Sequence, residues 1–269
     1  MWERWLTRPS DEVEAARIGM SSNVLARVRY GMHTGLVFAL DPMDTLQVNL
    51  LTVGIDFRGL RKLGARFADD PRWQQLVAER ATIDTKHVDF DYLRRLGPET
   101  LGGAYVRMLD HNRLDPDFFQ PPPEWPEDVA YVLQRLRQTH DLMHVLTGLD
   151  TDIAGEVALQ AFVRVQLRLQ FSAFVVLFGA LIYGPRYPRM LPMIVQAYIA
   201  GHRADPLFST RWEDLWEVPI DAVRRRFSIM SLDLPQPSGA DRSAACSAAD
   251  LLAEEANALA LADRCVAAE

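Results

Sequence analysis

The chain has 269 residues, of which 49% are apolar and 24% charged, and its formal net charge is −7. This length can bury a complete hydrophobic core, and the composition is typical of a soluble globular protein. Up to residue 231 there are 27 bases and 29 acids, so the chain lacks the basic surface that a nucleic-acid binder needs.

Helical periodicity dominates the first half of the chain, and hairpin signals are absent. The start, MWERWLTRPSDEVEAA, is charged and lacks the apolar core of a secretion signal. Ser10 is a candidate N-cap, since Asp11 and Glu12 follow it at the positive end of a helix dipole. Breaks are expected near Gly54 and Arg58, within the helical pattern over residues 43–67. The helical patterns cover residues 43–67, 71–80 and 98–111.

The second half begins after PDFFQPPPEWPED, whose five prolines predict a rigid loop. A helix is predicted over residues 127–147, and another from about Thr151 into the apolar run FSAFVVLFGALIY. YGPRYP is then a turn. Further helices are predicted over residues 187–203 and 219–228.

The apolar run from Phe171 to Tyr183 has 13 residues, fewer than the roughly 20 that a membrane-spanning helix needs. Gly184 and Pro185 end it. Two interpretations stay open: a buried core helix, or a helix that contacts lipid at an interface.

The composition changes after residue 231. Residues 232–269 are rich in alanine and contain seven acids against two bases. We therefore predict a single all-α domain, a multi-helix bundle over residues 1–231, and an acidic tail over 232–269 that is helical or partly disordered. The only cysteines, Cys246 and Cys265, lie in this tail, which fits a reducing compartment.

Two short motifs resemble functional sites but lack their chemistry. GPETLGG, residues 97–103, has the glycine spacing of a phosphate loop without the Lys and Ser/Thr that follow it. HVDFD, residues 87–91, alternates metal-capable side chains, but its polar surroundings predict an exposed stretch.

The helix over 127–147 carries two histidines where apolar residues are expected. Its apolar series, at residues 129, 132, 133 and 136, continues through His140, Met143, His144 and Thr147. Asp141 lies three residues before His144, so the three polar side chains can converge. Buried imidazoles need partners, because an unsatisfied buried polar group costs kilocalories per mole.

A divalent metal is one such partner. Gly148 can end the helix in a left-handed conformation, and the reversed chain then brings Glu156 toward the same point. His140, Asp141, His144 and Glu156 form a nitrogen and oxygen donor set suited to zinc, iron, manganese or cobalt. Structurally satisfied histidines and a metal-free acid/base cluster are the alternatives. The motif is not His-Glu-x-x-His, which argues against a zinc protease.

The same residues resemble the coenzyme Q biosynthesis protein 4 family, whose hallmark is His-Asp-x-x-His followed after about eleven residues by Glu. Three longer segments are also similar to the family, and the resemblance covers residues 43–231. They are LGPETLGGAYVRMLDHNRLDPD at 96–117, DVAYVLQRLRQTHDLMHVLTGL at 128–149 and PLFSTRWEDLWEVPIDAVRRRFSI at 206–229. After Glu156, however, the chain lacks the Gly-Leu-Pro-like break that the family usually carries.

The resemblance implies an all-helical fold with a divalent metal, usually zinc, on His140, Asp141, His144 and Glu156, which would also be the catalytic residues. It implies metal-dependent, oxidative decarboxylation at C1 of a polyprenylated hydroxybenzoate during ubiquinone biosynthesis. It further implies contact with other enzymes of the pathway, a homodimer, and a cytoplasmic location with peripheral attachment to the inner membrane.

Several alternatives and roles stay open. The chain could instead be a non-catalytic scaffold that binds prenyl lipids for other enzymes, or an unrelated metal hydrolase. Arg135 and Arg137 lie within two turns of His140, where they would neutralise a substrate carboxylate or simply lie on the surface. The apolar helix over 171–183 is the candidate contact for an isoprenoid tail.

Overall fold

The computed structural model describes residues 12–40, 45–118 and 125–232. Within these ranges the regular structure is helical, apart from one isolated bridge between Thr100 and Pro219. The all-α prediction is therefore confirmed. The predicted cap at Ser10 and nearly all of the predicted tail, including both cysteines, lie outside the described residues, so the domain division stays a prediction.

Eleven α-helices and one 3₁₀ helix make up the described fold. They are α1 (Glu12–Met20), α2 (Val24–Leu40), α3 (Thr45–Arg66), α4 (Pro71–Glu79), α5 (Phe90–Arg95), α6 (Leu101–Asn112), α7 (Glu127–Thr147), α8 (Ile153–Leu167), α9 (Gln170–Tyr183), α10 (Met190–Arg203), the 3₁₀ turn Trp212–Leu215 and α11 (Ile220–Arg226).

Helix α3 runs unbroken, so the predicted breaks near Gly54 and Arg58 are wrong. A Cβ atom at Gly54 would lie 2.7 Å from the ring of Tyr30 on α2. The glycine therefore allows α2 and α3 to approach closely, and packing along α3 outweighs its weak helix propensity.

Helices α8 and α9 are separate, although the sequence predicted one continuous helix. Arg168 adopts a left-handed conformation with φ 62° and donates its backbone N–H to the Arg164 carbonyl. The first turn of α9 is then capped from another helix, because Asp56 of α3 accepts the backbone N–H of Phe171 at 2.5 Å. A buried carboxylate at a helix N-terminus satisfies an orphan donor and favours the helix dipole.

The remaining local features are two helices and two short motifs. Helices α2 and α5 were not predicted. In the 87–91 stretch the metal-capable residues are exposed as expected, while Val88 and Phe90 are buried and Asp89 caps α5. In the 97–103 stretch, Thr100 caps α6 by accepting the backbone N–H of Gly103 at 3.1 Å.

Helix α7 connects two hydrophobic clusters. Its first half packs with α3 and α4 through Val129, Val132 and Leu133. Its second half packs with α6, α8 and α10 through Leu142 and Leu146. His140 and His144 lie on α7 after the point where the first cluster ends and the second begins. Packing therefore fixes the helical turns on both sides of the histidines.

Candidate metal centre

The end of α7 places the two histidines on its inward face. His144 is buried and His140 is partly exposed, with 25% of its side chain accessible. The helix ends after Thr147, where Gly148 has φ 74° and donates its N–H to the His144 carbonyl at 2.8 Å. Both the inward stripe and the left-handed glycine cap are as predicted.

The start of α8 returns the chain toward these histidines. Asp152 caps this helix by accepting the backbone N–H of Gly155 at 2.7 Å. Glu156 follows in the first turn. A carboxylate is favourable there because the helix dipole is positive at its N-terminus.

The carboxylate of Glu156 lies between the two imidazoles. Its Oε1 is 3.1 Å from Nε2 of His144, and its Oε2 is 3.6 Å from Nε2 of His140. The two rings are 5.0 Å apart at their centroids. One donor atom from each of the three residues lies within 4.8 Å of the others.

The second ring nitrogen of His144 fixes which nitrogen carries the proton. Nδ1 lies 3.0 Å from the backbone carbonyl of Leu149, which can only accept a hydrogen bond. The neutral ring therefore carries its proton on Nδ1 and points a lone pair from Nε2 at Glu156. Nε2 is buried and has no hydrogen-bond partner. Two acceptors that face each other in this way need a cation or a proton between them.

His140 shows the same arrangement with a side-chain partner. Its Nδ1 lies 3.4 Å from Oδ1 of Asp141, while its Nε2 faces Glu156. Asp141 is thus on the far side of the imidazole from the three-donor group, which contains His140, His144 and Glu156. Metal-bound histidines commonly bond a carboxylate or a carbonyl through the other ring nitrogen, and this partner orients the ring.

Comparison with known proteins identifies the family. Residues 19–233 match the family model "Coenzyme Q (ubiquinone) biosynthesis protein Coq4". The chain belongs to the Coq4 family. A mitochondrial ubiquinone biosynthesis protein COQ4 homolog from Xenopus laevis is 31% identical over 213 residues, which cover 78% of this chain and 75% of that protein. The human homolog is 34% identical over 176 residues, covering 64% of this chain and 66% of the relative.

A solved structure supports the fold independently. The crystal structure of a candidate ubiquinone biosynthesis protein from Nostoc punctiforme has a TM-score of 0.62 with this chain. It covers 74% of this chain and 97% of its own, at 24% identity. At that identity the likeness concerns the fold alone.

Electrostatics at the Coq4-family motif depend on the three neighbouring groups. Burial lowers the pKa of His140, but the hydrogen bond to Asp141 and the charge of Glu156 outweigh it, so the pKa is raised overall. Burial raises the pKa of Glu156, but the close contact with His144 and the positive charge that His140 and His144 carry when protonated lower it, so the net shift is downward. The site thus favours an ionised carboxylate and a positive charge beside it.

The donor set fits a divalent cation. Two imidazole nitrogens and one carboxylate oxygen are the three protein ligands of many catalytic zinc sites, which leave a further position for water or substrate. Within the described part of the chain, these three residues are the one group of three metal-capable side chains that converges. The ligand roles of all four predicted residues stay predictions.

Arg135, a second candidate from the sequence, lies in neither predicted position. It is fully buried, and its two Nη atoms lie 2.7 and 2.8 Å from the carboxylate oxygens of Glu213. It also donates to the carbonyl of Thr210. Glu213 was missed by sequence reasoning because its partner is 78 positions away. Arg137 is partly exposed and close enough to His140 to lower the pKa of that residue.

A small apolar cavity of about 40 Å³ adjoins His140. Its walls come from α7, α8 and the segment after α10, and they do not include the helix over 171–183 that was predicted to contact an isoprenoid. The apolar lining residues are Leu136, Met143, Phe162, Val163, Leu167, Leu207 and Phe208. Across the described ranges, every helix is too short or too polar to cross a membrane.

Proposed function

We propose that this chain is a metal-dependent decarboxylase that removes the C1 carboxylate from a polyprenylated hydroxybenzoate in ubiquinone biosynthesis, the pathway of the Coq4 family. The observation that carries the proposal is the pair of facing acceptors, Nε2 of His144 and Oε1 of Glu156, at 3.1 Å. A cation would resolve this contact and leave a position open to an anionic ligand.

Each motif residue then has a distinct role. His140, His144 and Glu156 would hold the metal, and Asp141 would orient the ring of His140 through Nδ1. The Leu149 carbonyl keeps the proton of His144 on Nδ1, so that Nε2 is free to bind. Zinc is the first choice for this donor set, while iron, manganese and cobalt also suit it. When bound, the metal would supply Lewis-acid stabilisation of negative charge near the substrate carboxylate.

The proposed reaction breaks the bond between ring carbon C1 and the carboxylate. Carbon dioxide leaves, and the electron pair stays on the phenol ring. In the simple form a proton then takes the vacated position. In the oxidative form, dioxygen accepts two electrons and two protons to become hydrogen peroxide, and a hydroxyl group from water takes the vacated position. The apolar walls beside His140 would contact part of the substrate and keep bulk water away from that side of the site.

A non-catalytic scaffold is the second candidate. The cavity of about 40 Å³ is far smaller than a prenylated aromatic acid, and this small size favours a non-catalytic role. On that view the metal stabilises the junction of α7 and α8, and the chain presents the lipid to other enzymes. The third alternative, an unrelated metal hydrolase, gains no support from the family match.

Complementation tests the choice between them. A bacterial strain blocked at C1 decarboxylation is supplied with this chain, with Glu156→Gln, or with Glu127→Gln as a matched change on an exposed glutamate. We expect wild type and the control to restore ubiquinone, and Glu156→Gln to lose at least about a hundredfold of it. A folded Glu156→Gln protein that restores ubiquinone would overturn catalysis at this site. Elemental analysis of the purified wild type identifies the metal.

The proposal also includes partners and a location. A prenylated substrate is stored in a membrane, so we propose a peripheral attachment to the cytoplasmic side of the inner membrane. Other ubiquinone-biosynthesis proteins and a second copy of the chain are the proposed protein partners. The relatives from Xenopus laevis and human are mitochondrial by name.

A further inference from the structure

Helices α9 and α10 each expose one continuous apolar stripe. On α9 the opposite face is buried, and a Cβ at Gly179 would lie 2.5 Å from Val157, so the helix packs tightly on α8. The outward residues recur at helical spacing on both helices. They are Leu177, Phe178, Leu181 and Ile182 on α9, and Leu191, Val195, Tyr198 and Ile199 on α10.

The first half of α2 also exposes apolar side chains. Val24, Leu25, Val28 and Met32 are all at least half exposed, and α2 packs beside α9. Together with Met20, these three helices carry 13 of the 17 large apolar side chains that are exposed in the described residues. Contiguous exposed apolar surface of this kind marks a binding surface rather than ordinary solvent-facing structure.

The charge pattern of these helices points to the partner. No acid occurs in residues 15–40 or 157–204, which are the two longest acid-free stretches of the chain. An even distribution would place about ten of its 36 acids there. The stretches contain eight bases, all arginine, even though the net charge of the whole chain is −7.

The arginines lie where they can reach a charged surface beside the apolar stripes. Arg186 and Arg189 are exposed in the turn that joins α9 to α10, and Arg168 is exposed just before α9. In the described part of the chain, no carboxylate lies within ion-pair distance of Arg186 or Arg189. At 14 residues each, α9 and α10 span about 21 Å, which is too short to cross a bilayer but long enough to lie along its surface.

We propose that the exposed faces of α2, α9 and α10 form a docking surface for a bilayer that contains anionic lipids. The apolar side chains would enter the boundary between headgroups and acyl chains, and the arginines would bind lipid phosphates. A second copy of the chain is the weaker occupant. In a two-fold interface the same patch meets itself, and a patch with arginines and no acids provides no opposite charge.

This surface deepens the membrane contact in the proposed function, because it names the helices and the lipid class. Its test measures binding rather than turnover, so it can fail while decarboxylation holds, and the reverse. The purified full chain is mixed with vesicles of phosphatidylcholine, or of phosphatidylcholine with about one third phosphatidylglycerol, and the bound fraction is measured by sedimentation.

Two variants, each with a matched control, separate the contribution of apolar contact to vesicle binding from that of charge. Leu177→Ser with Leu181→Ser removes apolar contact, and both side chains are more than half exposed, so folding is preserved. Phe118→Ser, at 67% exposure, is its control outside the surface. Arg186→Glu with Arg189→Glu reverses charge, and Arg225→Glu with Arg226→Glu makes the same change on α11.

We expect wild type to bind anionic vesicles at least about tenfold better than neutral ones. Both surface variants should lose at least about tenfold of that binding, and both controls should keep it. Equal binding to the two vesicle types, or full binding by either surface variant, would overturn the proposal. So would analytical ultracentrifugation in which the surface variants convert a dimer to monomers while vesicle binding is unchanged.

Discussion

Helix α7 carries two charge clusters that differ in how the protein neutralises them: Arg135 is fully buried, whereas the side chain of Glu156 in the second cluster is 41% accessible. Arg135 meets Glu213 with two parallel hydrogen bonds and gives a third to the Thr210 carbonyl. Nine residues later, His144 presents an unpaired Nε2 to the carboxylate of Glu156. Both clusters join α7 to another part of the chain, yet only in the first does the carboxylate face an arginine.

The difference separates a structural ion pair from a functional site. A buried polar atom without a hydrogen-bond partner is costly, so a folded protein keeps one such as Nε2 of His144 only where something else completes it. The charge of Arg135 is neutralised by Glu213 within the protein, although its Nε has no hydrogen-bond partner, and this pair joins α7 to the segment after α10. In the His144 cluster, Glu156 faces two titratable imidazoles instead of an arginine, and these donors suit a divalent metal. Four predictions test this contrast, in order of decreasing expected effect.

Removing the arginine of the first cluster should have the largest effect. Arg135→Leu leaves Glu213 without its cation, and we expect the free energy of unfolding to fall by about 3–5 kcal/mol. The double variant Arg135→Leu/Glu213→Leu should recover much of this loss, because it leaves no unpaired charge. Urea denaturation of the three proteins measures both values. A double variant that is less stable than Arg135→Leu would contradict this prediction, because removing the unpaired charge of Glu213 would then have brought no recovery.

Changing the orienting carboxylate should weaken metal binding without abolishing it. Asp141→Asn keeps the shape beside Nδ1 of His140 but removes the charge, so we expect zinc affinity to fall about 10–100-fold. Asp150→Asn, an exposed change six residues after His144, is the matched control. Competition with a chromophoric chelator gives the affinities. A loss as large as that of Glu156→Gln would instead make Asp141 a direct ligand, as the sequence suggested.

Asp70 is a carboxylate with hydrogen-bond partners inside the protein, so the free energy of unfolding should depend on pH in the acidic range. Hydrogen bonds from the side chain of Arg72, partly opposed by burial and aided by Ser209, lower the pKa of Asp70 to about 2. Because the folded pKa lies below the unfolded one of about 3.8, the contribution is present above pH 4 and is lost as the pH falls toward 2.

We expect that contribution to be on the order of 1–2 kcal/mol. Asp70→Asn keeps the N-cap of α4 and removes the titration. The stability difference between wild type and Asp70→Asn, measured by urea denaturation, should therefore be greatest at neutral pH and should shrink below pH 4. A difference that is constant between pH 7 and pH 3 would contradict the assignment.

Replacing the carboxylate of Glu156 should have the smallest effect, and it should raise the free energy of unfolding instead of lowering it. In Glu156→Gln, the amide can donate to Nε2 of His144, so we expect the metal-free protein to gain about 1 kcal/mol at about pH 8.5. Differential scanning calorimetry with a chelator present measures the change. A clear loss of stability would indicate that Glu156 is already satisfied within the protein.

The pattern around the motif was predictable because it depends on neighbours in sequence. The inward stripe through His140 and His144 follows from the 3.6-residue period, and the stop at Gly148 follows from its freedom to adopt φ 74°. The family resemblance rested on the same residues. Together they were enough to bring Glu156 within reach of both histidines, as the structure does.

Other features of the site were not predictable, because each depends on a residue far away in sequence. The break between α8 and α9 needs the Asp56 carboxylate, 115 positions before Phe171. Arg168 adopts a left-handed conformation although it is not a glycine, so the local sequence does not predict the end of α8 there. Glu213 and the cavity walls next to His140 likewise come from chain segments that only the folded protein brings together.

The sequence alone thus determined the helical class, the span of α7 and the four motif residues, since local periodicity and capping chemistry fix them. The tertiary structure decided which of those residues face one another. It placed Asp141 behind His140, Glu156 between the imidazoles and the Leu149 carbonyl at Nδ1 of His144. Hydrogen-bond partners of this kind are set by the turn between α7 and α8 and by packing, whose distances no linear spacing encodes.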